Sequence, residues 1–547
     1  GNAVRTVSGS QELSADDTKA AKTVSKGRGF SSLGDTARLV SFLPNLLTKE
    51  VLAMARQVTP RREFLQEAIL ASLGGIGLGA GLPVVAAEQG PQSAGAAAPT
   101  SPNDKLQVAV LGVRGRGQDH ASAYASRPDC HVLYLCDADR DVGQTYVERF
   151  AARFGYKPKF AQDLRDVFAD PAVDLVSIAT PNHWHALASI WAIQAGKHVY
   201  VEKPVSHNVS EGRRIVQAAQ KYNKLCQGGT QRRSEGRYRA AAEAIKAGKI
   251  GKVKVIRCVM YRPRSPIGPP GDYPIPPGVD YNLWAGPAPM AKVTRKSFHY
   301  DWHWFWDYGN GEIGNNCIHC VDTARIIVPF KTLGKWVISY GGRLGFNDAG
   351  ETPNVQVAVH DLGGITLVQE VRNHKTNPPF LNGAVLIVGE EGYIASSFGP
   401  NVVVYDKQGQ PRENLTGPNV DNFGNFVEAV KAGKQEMLNA PVEETHISTA
   451  LTHLANISYL LGEKAGHKEL VAALEKLQVH EDCVATLNAI EEHLKENGID
   501  LEKEPLTLGA LLPVDAANEC FIDRPDANKL LTREYREPFV VPTVDKL

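Results

Sequence analysis

The sequence predicts an α/β protein whose first folded domain is a doubly wound parallel sheet, and three observations carry that prediction. The apolar run L-Q-V-A-V-L-G, from Leu106, passes straight into a glycine turn. Apolar strand-like runs then alternate with helical stretches, an order that short right-handed crossovers convert into a parallel sheet. The run G-K-H-V-Y-V finally closes on Glu202, Lys203 and Pro204. Proline takes the backbone out of the ladder there, and ligands of such sheets sit beyond the carboxyl ends of the strands. Lys203 is therefore expected to face a cleft.

A chain of 547 residues exceeds one ordinary domain. Its 60 Lys and Arg balance 60 Asp and Glu, so it has no electrostatic footprint for nucleic acid or an anionic membrane. A small molecule is the expected partner. The eight cysteines are scattered and read as no disulfide framework. Residues 1–53 form an unassigned N-terminal extension. Within 54–87, Thr59-Pro60-Arg61-Arg62-Glu63-Phe64-Leu65 precedes a Gly/Ala-rich apolar run and then Val85-Ala86-Ala87. This pattern resembles a twin-arginine export signal, with paired arginines and a small-residue cleavage site. Its glycines between residues 74 and 81 make it a poor permanent span, so the mature form is expected to have no stable membrane span. The expected location is periplasmic or otherwise exported, and cytoplasmic if the signal does not function. Residues 88–103 read as a flexible linker.

A Rossmann-type domain is read over residues 104–228. Gly112, Arg114, Gly115, Arg116 and Gly117 form the loop after the first strand, where glycine admits a pyrophosphate and a helix N-terminus offers unpaired N–H groups. Arg114 stands where a standard fingerprint has glycine. The second strand ends at Asp137, 20 residues beyond Gly117 (137 − 117), where an acid binds the ribose hydroxyls and repels a 2′-phosphate. NAD is favoured over NADP. Arg140 reads as a solvated residue at a helix start. Thr180, Pro181, Asn182 and His185 follow the next strand and join Glu202 and Lys203 as cofactor-side candidates.

The second domain, over 229–465, opens with Gln231 and Arg232, both read as substrate-binding candidates, then a helix over 236–247 and a strand K-V-K-V-I-R-C-V-M. A Pro/Gly-rich excursion at 262–278 is long for a compact domain and is read as a lid or an intersubunit arm. Next come Trp302, Trp304 and Trp306 within five residues; Trp304 and Trp306 are substrate candidates, since aromatic faces stack on sugar rings. A helix beginning at Asn315 puts Asn315, His319 and Asp322 on one face, and Asn315, Asn316 and His319 are read as substrate-binding candidates. Zinc at C-x-H-C is rejected, because Cys317 and Cys320 project from other faces than His319. The runs V-Q-V-A-V-H and A-V-L-I-V-G-E-E-G-Y-I-A-S-S-F fit a large sheet, and 422–462 reads as two helices. Residues 466–547 read as a C-terminal helical extension and tail.

Together the glycine loop, Asp137, A-T-P-N-H-W-H and G-K-H-V-Y-V-E-K-P resemble the Gfo/Idh/MocA oxidoreductase family over roughly residues 105–462. The resemblance implies a C-terminal α/β domain with a large open, mostly antiparallel sheet that forms the substrate floor and often an oligomer interface. A homo-oligomer, dimer or tetramer, follows from it. Lys203 corresponds to the family's catalytic lysine, and His319 to the histidine of its Asp-x-x-x-His pair. Asn315 replaces the aspartate and cannot be a base, so proton handling falls on Lys203, His319 or Asp322. The expected function is an NAD-dependent oxidoreductase acting on a secondary hydroxyl of a sugar or cyclitol, with tightly bound cofactor. The alternatives are an NAD-dependent glycosidase using transient C3 oxidation and a non-catalytic NAD/sugar sensor.

Overall fold

The computed structural model describes residues 105–376, 383–397 and 399–547. The extension, signal-like segment and linker at 1–53, 54–87 and 88–103 lie outside the described residues. Six strands, β1 (Leu106–Leu111), β2 (Cys130–Cys136), β3 (Lys159–Ala161), β4 (Leu175–Ile178), β5 (His198–Val201) and β6 (Cys226–Gly228), form one sheet in the order β3-β2-β1-β4-β5-β6. Every pairing in it is parallel. The continuous apolar strands follow from cover on both faces. Phe150, Tyr124 and Phe426 pack on one side, and Ile190, Val216 and Phe168 on the other. Phe426 comes from the helix Asn422–Ala432, nearly 200 residues beyond β6, so the second domain lends a helix to the first. The strand order reverses between β1 and β4, which opens a crevice at their carboxyl ends.

The second sheet contains β7 (Val253–Tyr261), β8 (Trp336–Gly342), β9 (Val355–Asp361), β10 (Thr366–Arg372), β11 (Ala384–Gly389), β12 (Gly392–Ser397), β13 (Val402–Asp406) and β14 (Pro411–Asn414). Short strands β15 (Glu463–Lys464), β16 (Thr507–Leu508) and β17 (Leu512–Asp515) extend it beyond β8, and β18 (Cys520–Phe521) pairs with β17. Only β7 and β10 pair in parallel; the remaining pairs are antiparallel. The stretch A-V-L-I-V-G-E-E-G-Y-I-A-S-S is a hairpin of β11 and β12, turning at Glu390 and Glu391. One face carries the helices Gly236–Lys246, Ile318–Ile327 and Val442–Leu460. Over β8 to β10 the other face, which the resemblance left for a neighbouring subunit, is covered by this chain's helices His467–Leu474 and Cys483–Glu496.

Beyond β18 the tail crosses back to the first domain. Phe539 is 1% exposed and meets Trp184 edge-on at 5.4 Å, with Trp191 at 6.2 Å. Arg536 donates to the side chain and carbonyl oxygen of Asn282 at 2.6 and 2.8 Å, and Tyr535 donates to Glu211 at 3.1 Å. Among the described residues no helix is long and apolar enough to cross a membrane. Because Phe539 fills a closed aromatic site, Phe539→Ala is expected to cost about 3–5 kcal/mol of stability. Urea unfolding measures this, and an unchanged midpoint contradicts the packing described.

Candidate active site

A cavity of about 670 Å³ lies over the carboxyl ends of β1, β4 and β5. One wall is built by the first domain: Gly112, Arg114, Gly115, Arg116, Asp137, Thr180, Pro181, Asn182, His185, Glu202 and Lys203 all line it. Gln231, Asn315 and His319 close the far end, while Leu283, Trp284, His299, Tyr300, Trp302 and His303 roof it.

The glycine loop is shaped for close approach. Gly112 has φ +80°, and a side chain there would meet the Ala179 carbonyl oxygen at 2.6 Å. Gly117 does not line the cavity; a Cβ on it would sit 2.0 Å from the Gly112 carbonyl oxygen, so it lets the helix Arg116–Ala125 seat against the loop. That helix has no side-chain cap, which leaves its first N–H groups at the cavity. Asp137 accepts from the Val113 and Asp139 N–H groups at 2.8 and 3.0 Å, and burial raises its pKa to about 6. Thr180 Oγ1 is buried without a partner beside this wall. An uncapped helix start, a glycine cradle, a ribose-height carboxylate and an orphaned hydroxyl together fit a dinucleotide. Arg140, as read from the sequence, is exposed and pairs with Asp141 at 3.2 Å.

Beyond Asp137 the end of the excursion meets the first domain, the Arg140 N–H donating to the Gly278 carbonyl oxygen at 2.9 Å, and the residues after it continue the contact. Asp139 bridges Val279, the Asp280 N–H donates to the Ala138 carbonyl oxygen at 2.9 Å, and His299 bonds Asp139 at 2.9 Å. His183 and Trp184 anchor the roof through the Trp284 carbonyl oxygen, at 2.8 and 3.1 Å.

Glu202 is buried at the centre. Its Oε1 accepts from Arg116 at 2.9 Å and Gln231 at 3.3 Å, and faces His120 Nε2 at 3.1 Å. Burial opposes its charge, but His120, Arg116 and Lys203 prevail and hold the carboxyl well below the usual range. Lys203 Nζ donates to the Asn315 carbonyl oxygen at 2.7 Å and to Asn315 Oδ1 at 3.2 Å. Burial lowers the Lys203 pKa against the pull of Glu202. His319 is pushed well below its ordinary value by burial and then by the Lys203 charge, so it enters the cavity as a neutral imidazole. His185 braces two turns, its ring nitrogens 2.6 Å from the Pro204 carbonyl oxygen and 2.8 Å from that of Thr180.

Several sequence-read candidates fall elsewhere. Asp322 is not at the cavity: it is 1% exposed and takes a forked bond from Arg233, 2.7–3.0 Å, plus one from Ser448 at 2.7 Å. The reason is local, since Asp322 lies a turn beyond His319 on the helix Ile318–Ile327 and meets the Arg233 guanidinium there, while the π-turn Ile313–Cys317 precedes His319 and leaves that spacing untouched. Asn316 bonds Arg262 and Glu312 behind the site. Arg232 donates to Tyr238 OH at 2.7 Å and does not line the cavity. Trp304 lies under Arg264 at 5.1 Å and Trp306 beside Tyr459, so neither reaches the cavity. Trp302, the first tryptophan of the same run, lines it instead, with Trp184, Trp284 and Tyr300. Among the described residues no cluster could hold a metal ion.

Residues 106–230 match the oxidoreductase family's NAD-binding Rossmann fold, and 271–476 match its C-terminal alpha/beta domain. The chain belongs to the Gfo/Idh/MocA oxidoreductase family. Within it, the chain is 27% identical over 271 residues to levoglucosan dehydrogenase of Pseudarthrobacter phenanthrenivorans, covering 47% of this chain and 62% of that one. It is 26% identical over 243 residues to myo-inositol 2-dehydrogenase of Thermotoga maritima, covering 44% and 69%. A glycosyl hydrolase family 109 protein of Shewanella pealeana is 31% identical over 177 residues, 30% of this chain and 38% of that one. The matched part of this Gfo/Idh/MocA chain therefore spans less than two thirds of two of these three relatives.

The raised pKa of Asp137 predicts a pH-dependent cofactor affinity. A pKa raised to about 6 keeps the carboxylate ionised, and able to accept from ribose hydroxyls, only above that pH. The NAD dissociation constant is expected to rise as pH falls from 7.5 to 5, and Asp137→Asn to flatten that dependence. Fluorescence titration across this range is the check; a pH-independent wild type would remove Asp137 from the ribose site.

Proposed function

We propose that the protein is an NAD-dependent oxidoreductase acting on a CH–OH group of a sugar or cyclitol. The observation that carries this reading is the Lys203 ammonium meeting Asn315 beside neutral His319, in the same cavity as Asp137 and the glycine loop. Nicotinamide, when bound, supplies the hydride acceptor. Lys203 spends two donors on Asn315 and keeps a third for the substrate oxygen, where its charge stabilises the developing alkoxide. His319 accepts the hydroxyl proton. Its basicity is held down in the resting site partly by Lys203, and a negative oxygen forming between them offsets that repulsion. The roof of Trp284 and Trp302 excludes water and offers apolar ring faces.

A retained nucleotide and a reaction redox-neutral overall belong to the same proposal, as does export by the twin-arginine route, which suits proteins that load a cofactor before crossing. The roof over the cavity, with Asn282 held by Arg536, supports retention. A second reading, a glycosidase that oxidises its substrate transiently, is favoured by the Shewanella relative and shares every residue role above.

Lys203→Ala and His319→Ala are each expected to lower turnover by about two to four orders of magnitude, the scale for a lost acid–base group, with nucleotide binding intact. Wild-type rates in Lys203→Ala would dismiss the assignment. Retention is checked by exhaustive dialysis, denaturation and assay of the supernatant. Near-stoichiometric NAD is expected, and an empty protein needing added NAD at every turnover would leave an ordinary dehydrogenase. Aglycone release from aryl glycosides separates the glycosidase from both.

A further inference from the structure

One cavity residue is left without a task by these roles. His303 lies in the turn Asp301–Trp304, with its ring stacked on Trp302 at 3.6 Å and 19°. The Trp302 indole is itself fixed by donating to the His299 carbonyl oxygen at 3.0 Å, so the imidazole plane is set from behind. His303 Nδ1 stands 2.6 Å from the Tyr300 carbonyl oxygen. A carbonyl oxygen can only accept, so Nδ1 carries the proton and Nε2 is a bare lone pair. Among the described residues Nε2 has no protein partner, and the ring lines the cavity that holds Lys203 and His319. Burial, with the nearby Lys203 and Arg264 charges, brings the His303 pKa down to about 3 despite its bond to Tyr300.

A fixed, neutral acceptor on a ring that lines the cavity of Lys203 and His319 has a specific use. We propose that His303 Nε2 accepts a hydrogen bond from a second hydroxyl of the substrate ring, which makes His303 the residue that selects polyols over simple alcohols. The inference rests on the oxidoreductase reading above and extends it to substrate class: a ring with at least two free hydroxyls, one at Lys203 and His319 and another at His303. No proton is transferred at His303. Its contribution is to orientation, through a neutral hydrogen bond whose loss corresponds to roughly 3- to 10-fold in affinity.

The test uses the NAD-loaded full chain, with levoglucosan, myo-inositol and the monodeoxy analogues of each, read by nicotinamide absorbance. In the wild type, removal of one particular hydroxyl is expected to raise KM about 3- to 10-fold. In His303→Phe the intact polyol should already show that rise and the same deoxy analogue no further one, because the two losses are one interaction. His303→Gln, which keeps an acceptor near the Nε2 position, should recover part of it. Independently, nitrogen-15 spectra of histidine-labelled protein at pH 7, assigned by loss of a signal in His303→Gln, should show a neutral ring protonated at Nδ1. Protonation at Nε2, a charged ring, or an unchanged KM and undiminished deoxy losses in His303→Phe would each overturn the proposal. A wild type that reduces no nucleotide with any sugar or cyclitol would instead bring down the oxidoreductase reading beneath it.

Discussion

Glu202 is a carboxylate enclosed where a charge is costly, and much of the site is arranged to keep it ionised. Taking such a group out of water is tolerable only with good geometry and several donors. Here the donors come from separate parts of the chain: Arg116 from the helix after the glycine loop, His120 one turn further along it, and Gln231 from the start of the second domain. The glycine loop, the end of β5 and the first turn of the second domain are thereby drawn to one point. Lys203, the next residue, stands in the field of that carboxylate. Its charge is favoured by Glu202 and disfavoured by burial, and burial wins. The same balance sets His319, which feels the ammonium more than the carboxylate.

The first domain was legible because its signals are local. A strand buried on both faces reads as an apolar run, and a glycine turn followed by an acid at a fixed distance survives any change in the surrounding helices. Eleven of the twelve cofactor-side residues named from the sequence stand at the cavity, and the twelfth, Gly117, supports the loop from behind. The substrate side was less legible. Asn315 and His319 share the cavity as their spacing implied, but Asp322, a turn further along the helix, does not, because its bond to Arg233 joins residues 89 apart, which no local count detects. Trp302, and neither Trp304 nor Trp306, lines the cavity for a separate reason. The run folds as a short 3₁₀ turn followed by an extended residue, so alternate tryptophans do not share a face. The contact of Arg536 with Asn282 spans 254 residues and lies beyond any local reading.

His303 illustrates what the sequence could have offered. It sits between two tryptophans, where an aromatic run is most simply taken for core. A polar residue in such a run calls for a partner, and the Tyr300 carbonyl oxygen three residues earlier satisfies one nitrogen only. The other nitrogen is a question that only the cavity answers.

The route of the tail has a temporal meaning as well as a spatial one. The strap that holds Asn282 follows in the chain both of the bodies it joins, and the helix Asn422–Ala432 that completes the first sheet is also made late. During synthesis the residues of the glycine loop and Asp137 therefore precede those that fasten the roof. With Arg536 on Asn282 and Phe539 against Trp184 and Trp191, the last part of the chain to be made is the part that braces the first.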